Sequence, residues 1–418
     1  MSLSPKHLSR IKSEADLADY LMPVVAGADI LGYSYVRSYH QAWGIHPIVL
    51  SAVDVKLTSS SKFCDYRIEA GMNDEDGFME AVMRVGAEIE ASGKVGIIHG
   101  SADWNTRIIS AHKEELSRYF VVPYIDFALL DEITQKRRFY EICESLGIDY
   151  PRTWYLDCAD DSFELDASAY PYPLVAKPSH SASWDLLEFE GKKKIYEIST
   201  KEELEKAWAD VKKSGYKANL VLQDFVPGPD TEIRSLTTFS DATGETKVVS
   251  GGRVIVQDRS PFAIGNPVCI KSEKVDRVVE DAKKFLRATG YHGYANFDIK
   301  HDARDDTWRF FEVNTRPGKN TFYVSLGGVN FVRPIVADWV LGESLNYCEA
   351  YDPFVYTVIP EKVVAESVGD KALVEEVLAC YKSHIARSPW DYGPDSIAHK
   401  GWVALAWKHQ VKKFRSYR

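Results

Sequence analysis

Residues 309–321, RFFEVNTRPGKNT, carry Glu312, Asn314 and Arg316 at alternate positions of an apolar run. In a strand, residues two apart leave on one face. Two oxygen donors and a guanidinium are therefore expected in a row, with Phe311 and Val313 turned the other way. Upstream, NFDIK is separated from RFFEV by the polar segment HDARDDTW, which predicts an antiparallel hairpin and brings Asp298 towards the same row. Two carboxylates and an amide oxygen suit a hard cation such as Mg²⁺ that also holds phosphate oxygens. The competing reading is a half-buried strand with one wetted face. Arg316, beside Pro317-Gly318, either offsets charge on a transferring phosphoryl or acyl group or makes a surface ion pair. The neighbouring KNT and LGGVN segments supply amides and polar groups, which favours the first.

A second set lies in YPLVAKPSHSASW, where an apolar strand delivers Lys177 into a small-residue loop containing Ser179 and Ser181. An ammonium on such a strand needs a partner to be buried, and a phosphate would supply one. A lysine snorkelling to solvent is the alternative. In NLVLQDFVPGPDTEI a strand breaks at Pro-Gly-Pro before Asp230 and Glu232. Backbone groups of Asp224, Phe225 and Val226 at such a strand end suit a purine edge, and a carboxylate just beyond suits ribose hydroxyls, although acidic turns after strands are common.

These residues need a scaffold of strands. LMPVVAG, HPIVLSA and KVGIIHG alternate with helical periodicity up to residue 128, predicting an open α/β domain with a parallel sheet. Within it GADILG lacks full GxGxxG spacing and reads as turn geometry. FALLDEITQKRRFYEICESLG predicts a charged amphipathic connecting helix closed by Gly147. An α+β region follows over 129–345, with a small subdomain at about 171–226. The Tyr- and Trp-rich segment 346–418 is expected to form a C-terminal helical extension.

The chain has 418 residues, a formal net charge of −10 and 45% hydrophobic residues. That length suggests about three domains. The acidic balance argues against a nucleic-acid partner. The exception is the basic run KHQVKKFRSYR, which reads as a solvated helix end or, alternatively, a contact for an anionic partner. Cysteines 64, 143, 158, 269, 348 and 380 show no zinc spacing and read as buried thiols. No signal peptide or apolar run of spanning length is seen, so a cytoplasmic protein without a membrane partner is expected.

Taken in order, Lys177, Gln223 to Asp230, Asp298 and the Glu312-x-Asn314-x-Arg316 row resemble the ATP-grasp superfamily, over roughly residues 1–345, and within it the carboxylate-amine ligase branch. The resemblance implies a pre-ATP-grasp α/β domain that helps bind the non-nucleotide substrate, a two-subdomain ATP-grasp fold, and ATP with Mg²⁺, or Mn²⁺, as cofactors. It further implies that Lys136, Lys177, Ser179 and Ser181 contact ATP phosphates. Gln223, Asp224, Phe225 and Val226 would line adenine, and Asp230 would bind ribose. Asp298, Glu312 and Asn314 would be the metal ligands, and Arg316 and Arg253 would act at the reacting groups. Two departures stand out: the loop after Lys177 is serine-rich where glycines are usual, and Gln223 replaces a frequent carboxylate. The activity implied is ATP-dependent amide formation between a small carboxylate and an amine, amino-acid or peptide-like, through an acyl phosphate. A homo-oligomer is compatible with it. The alternatives are a non-catalytic ATP-binding regulator and a simple kinase or ATPase.

Overall fold

Strands β1 (Leu21–Ala26), β2 (Ile48–Ser51), β3 (Asp65–Ile68), β4 (Val95–Gly100) and β5 (Phe120–Val121) form a sheet ordered β3-β2-β1-β4-β5 in the computed structural model. Residues 4–179, 184, 187–193, 195–260 and 263–417 are described. Every β4 residue is buried, as expected of a parallel strand covered on both faces. All pairings in this sheet are parallel. The order runs outwards in opposite directions from β1 and β4, so their carboxyl ends frame the crevice where open parallel sheets take ligands.

The two chain exits at that crevice carry similar short sequences, Gly27-Ala28-Asp29 after β1 and Ser101-Ala102-Asp103 after β4. Gly27 has φ +109°, and a Cβ there would stand 2.0 Å from Ser101 Oγ. Asp29 caps the helix Ile30–Trp43 by accepting from the Leu31 and Gly32 N–H groups, and Gly44 closes it in the left-handed region. GADILG is thus a strand-to-helix turn whose first helical amides are taken by its own aspartate.

The chain divides into a larger compact unit (Met1–Ile142, Pro229–Ile299, Glu312–Arg418) and a smaller one (Cys143–Gly228, Lys300–Phe311). The smaller unit holds a sheet ordered β6-β9-β7-β8, from β6 (Thr153–Asp157), β7 (Leu174–Pro178), β8 (Tyr196–Ile198) and β9 (Asn219–Asp224). Its pairings are antiparallel. The helix Lys201–Lys213 buries Leu204, Ala207, Trp208 and Val211, which join Leu156, Leu174, Ala176, Leu220 and Leu222 of the sheet in one cluster.

A third sheet follows the order β14-β13-β10-β11-β12-β16-β17, built from β10 (Ile233–Ser240), β11 (Thr246–Gln257), β12 (Pro267–Ser272), β13 (Gly293–Asp302), β14 (Thr307–Asn314), β16 (Val355–Thr357) and β17 (Ala386–Arg387). Strand β15 (Cys348–Glu349) pairs with β11. The segment after residue 345, expected to be helical, therefore also supplies three strands. They escape a reading by periodicity because none exceeds three residues. The connecting helix expected over 127–146 is two helices, Phe127–Thr134 and Lys136–Leu146, parted by extended backbone at Gln135. Of the cysteines, Cys143, Cys158 and Cys269 are buried, whereas Cys348 is exposed.

Gly27→Ala combines a positive φ with a side-chain collision, so a stability loss of about 1–3 kcal/mol is expected from urea unfolding. An unchanged midpoint would show that the turn relaxes freely.

Candidate active site

Strands β13 and β14, joined by the turn at 303–306, carry the row singled out in the sequence. In the larger unit, Lys136 Nζ donates to Glu312 Oε2 at 3.0 Å. Lys136 opens its helix, where the positive end of the helix dipole disfavours a cation. The break at Gln135 puts it there, and Glu312 offsets the mismatch. Asp298 keeps a little solvent access but is ringed by protein atoms. Burial, and then the Glu312 carboxylate, push its carboxyl up to about 7, against the opposing charges of Arg316 and Lys136. Asn314 shares the Glu312 face by the strand period.

Arg316 is only 6% exposed. Its Nη2 donates to Asp103 Oδ2 at 2.8 Å, its Nε stands 2.7 Å from Asp103 Oδ1, and its Nη1 donates to the Pro317 carbonyl. Burial acts to lower the guanidinium pKa, but Asp103, Asp29 and Asp298 outweigh it and hold the value above the ordinary one. Asp29 is raised by burial, against the Gly32 N–H, Lys319, Ser101 and Arg316. The sequence reading missed Asp29 and Asp103. The legible signal was the Ala-Asp pair that follows each of two buried strands.

In the smaller unit, Lys177 Nζ donates to Gln223 Oε1 at 3.2 Å, and Gln223 Nε2 donates to Thr153 Oγ1 at 3.0 Å. Gln223 is buried on β9. Its amide oxygen, expected to accept from adenine, is thus directed at Lys177, because the alternation of β9 turns this side chain between β6 and β7. The Ser179 amide donates to the Asn219 carbonyl, and its hydroxyl accepts from the Asn219 N–H, extending the β7–β9 ladder. The amide is thus taken by the ladder, while the hydroxyl, an acceptor there, keeps its O–H as a donor. Ser181 lies outside the described residues. The Asp224 and Phe225 N–H groups go to the Arg152 and Pro173 carbonyls. The Val226 N–H takes no partner among the described residues. Phe225 is exposed at the strand end, and Lys300 Nζ holds the Val226 and Gly228 carbonyls at 2.9 Å each.

Asp230, in the larger unit, accepts from the Gln257 N–H at 3.0 Å, which leaves its other carboxylate oxygen for a ligand. Arg253 Nε donates to the Thr231 carbonyl at 2.8 Å. Arg253 sits in register between Arg234 and Lys271 on neighbouring strands, a cationic row compatible with an anion. Among the described residues no group of three or more His, Cys, Asp or Glu is arranged to hold a metal ion. The expected donor set contains only two carboxylates, with an amide as third member. Its chemistry fits Mg²⁺, because the mutual repulsion that raises Asp298 is what a divalent cation relieves.

No protein-family model matches the chain. It is 29% identical over 377 residues to the D-aspartate ligase of Enterococcus faecium (strain Aus0004), covering 85% of this chain and 87% of the relative. Its fold is similar to an L-amino acid ligase from Bacillus licheniformis, with a TM-score of 0.54, 16% identity, and 77% and 74% of the two chains covered. It is also similar to N5-carboxyaminoimidazole synthetase from Staphylococcus aureus complexed with ADP, with a TM-score of 0.55, 14% identity and 81% of each chain covered.

The raised Asp298 value fixes a sign. The folded protein retains a proton that the unfolded chain has lost between about pH 4 and about 7, so the stability Asp298 contributes is full below that window and falls as pH rises through it. In EDTA, Asp298→Asn should therefore be stabilised relative to wild type more at about pH 8 than at about pH 5. Parallel urea midpoints at both pH values would refute the assignment.

Proposed function

We propose that the chain is a carboxylate-amine ligase of the ATP-grasp superfamily whose residues carry out an ADP-forming C–N ligation. A substrate carboxylate oxygen bonds to the γ-phosphorus of ATP as the bond to the β,γ-bridging oxygen breaks, giving an acyl phosphate and ADP. The amine nitrogen then bonds to the acyl carbon, the C–O bond to phosphate breaks, and the amine proton leaves to the departing phosphate. No side-chain nucleophile is needed, since activation comes from ATP. The rate gain lies in alignment and charge compensation.

The observation that carries this reading is the grouping of Asp298 and Glu312 with Lys136 and Arg316, carboxylates and cations that answer one another's charge. Asp298, Glu312 and Asn314 would hold Mg²⁺, or Mn²⁺, which when bound supplies charge neutralisation for phosphate oxygens. Lys136 and Lys177 bind ATP phosphates, with Gln223 holding the Lys177 head in place. The backbone at Asp224 to Val226 and the Phe225 ring take adenine, and Asp230 takes ribose. Arg253 is a further phosphate contact. Arg316, held by Asp103, stabilises charge on the reacting carboxyl group. The non-nucleotide substrates, small carboxylates and amines of amino-acid or peptide type, bind at the carboxyl ends of β1 and β4, beside the Arg316–Asp103 pair and the helix-capping Asp29. Dependence on ATP suits a cytoplasmic location.

A regulatory nucleotide binder releases no ADP, and a kinase or ATPase releases it without regard to amine. Screening pairs of amino acids and short peptides for amine-dependent ADP release, with product mass as second readout, therefore tests the assignment. With a productive carboxylate, hydroxylamine in place of the amine should give a hydroxamate and stoichiometric ADP. Formation of AMP and pyrophosphate would overturn the acyl-phosphate route. Lys177→Ala should weaken ATP binding about 10- to 100-fold by calorimetry, the loss of one charge-assisted contact worth about 1.5–3 kcal/mol. Unchanged affinity in a folded variant would remove Lys177 from the site.

A further inference from the structure

The helix Ile397–Ser416 runs for 20 residues without an acidic side chain. Lys400, Lys408, Lys412, Lys413 and Arg415 give it five permanent positive charges, in a chain whose formal net charge is −10. Only His399 and Phe414 are buried. Lys413 is tied to Asp258, and Arg415 lies 3.8 Å from Glu366. Lys400, Lys408 and Lys412 face solvent.

The outward arc changes character along its length. Its first half is apolar, with Ile397 90%, Trp402 39% and Leu405 53% exposed. Its second half carries Lys408, His409 and Lys412, all exposed. At about 3.6 residues per turn Ile397, Leu405, Lys408 and Lys412 fall opposite His399 and Phe414, with His409 and Trp402 at the flank of that arc. No helix among the described residues is long and apolar enough to cross a membrane. A helix with exposed Trp and Leu, a cationic stretch and no acid has the composition of one that lies in a lipid interface.

We propose that this helix docks the protein on an anionic lipid surface. Ile397, Trp402 and Leu405 enter the headgroup boundary, and Lys408 and Lys412 contact lipid phosphates. The lack of an apolar run of spanning length had suggested no membrane partner, but a helix that lies on a lipid surface needs no such run. A second copy of the chain is a poorer occupant. A two-fold contact through this face sets the apolar half of one helix against the cationic half of the other when they run antiparallel, and cation against cation when they run parallel.

Sedimentation of the full chain with vesicles tests the proposal. Binding is expected with phosphatidylglycerol-containing vesicles, not with phosphatidylcholine alone, and it should weaken with added salt. Inorganic phosphate at matched concentration should not displace the protein, which separates a lipid surface from a simple anion site. Lys408→Gln and Lys412→Gln should each lower partitioning about fivefold, the equivalent of the ~1 kcal/mol that one cation is worth at such a surface. Trp402→Ser and Leu405→Ser should also lower it, with circular dichroism unchanged because both side chains are exposed. Absence of binding to the anionic vesicles would overturn the proposal. So would indifference to the apolar substitutions, or variants that alter self-association instead.

Discussion

Arg316 is a permanently charged group held almost entirely away from water, and the architecture of the larger unit is arranged around that cost. A buried guanidinium needs a carboxylate partner, which can itself stay in contact with water as Asp103 does. Asp103 supplies the contact, with Asp29 and Asp298 adding to the field. Asp103 lies just past β4 and Arg316 just past β14, so one ion pair ties the mouth of the parallel sheet to the end of β14. The loops that would bind substrate and the strand that would hold metal thereby share a constraint.

Around this pair, charges of opposite sign are interleaved. Burial, and after it the neighbouring Glu312 carboxylate, push Asp298 up to about 7, while Lys136 occupies Glu312. The group is internally balanced before any ligand arrives. A triphosphate with its cation brings both signs at once, so it can exchange these contacts for its own without leaving a charge uncompensated. The same consideration explains why Lys136 is tolerated at the first position of its helix.

In the smaller unit the problem is orientation more than charge. A lysine has a long flexible stem, and holding its head in place costs rotamer entropy. The chain of hydrogen bonds from Lys177 through Gln223 to Thr153 links three adjacent strands and restricts that freedom. Glutamine suits this place because its amide accepts from the ammonium and donates to the hydroxyl. A carboxylate would accept only.

The sequence by itself determined the longer strands that carry the candidate site and the alternation along them. Glu312, Asn314 and Arg316 were legible as a row because the strand period is two and apolar residues mark the opposite face. Likewise, buried parallel strands such as VGIIHG announce themselves as unbroken apolar runs. What only the tertiary structure decided was pairing between residues far apart in the chain: Arg316 with Asp103, Lys136 with Glu312, Lys177 with Gln223. A side chain's type gives its charge and its donors, but its partner depends on which strand ends the fold brings together. Gln223 shows the limit most clearly: its amide can accept from a nucleobase or from a lysine, and the register of β9 against β6 and β7 sets it beside Lys177 and Thr153.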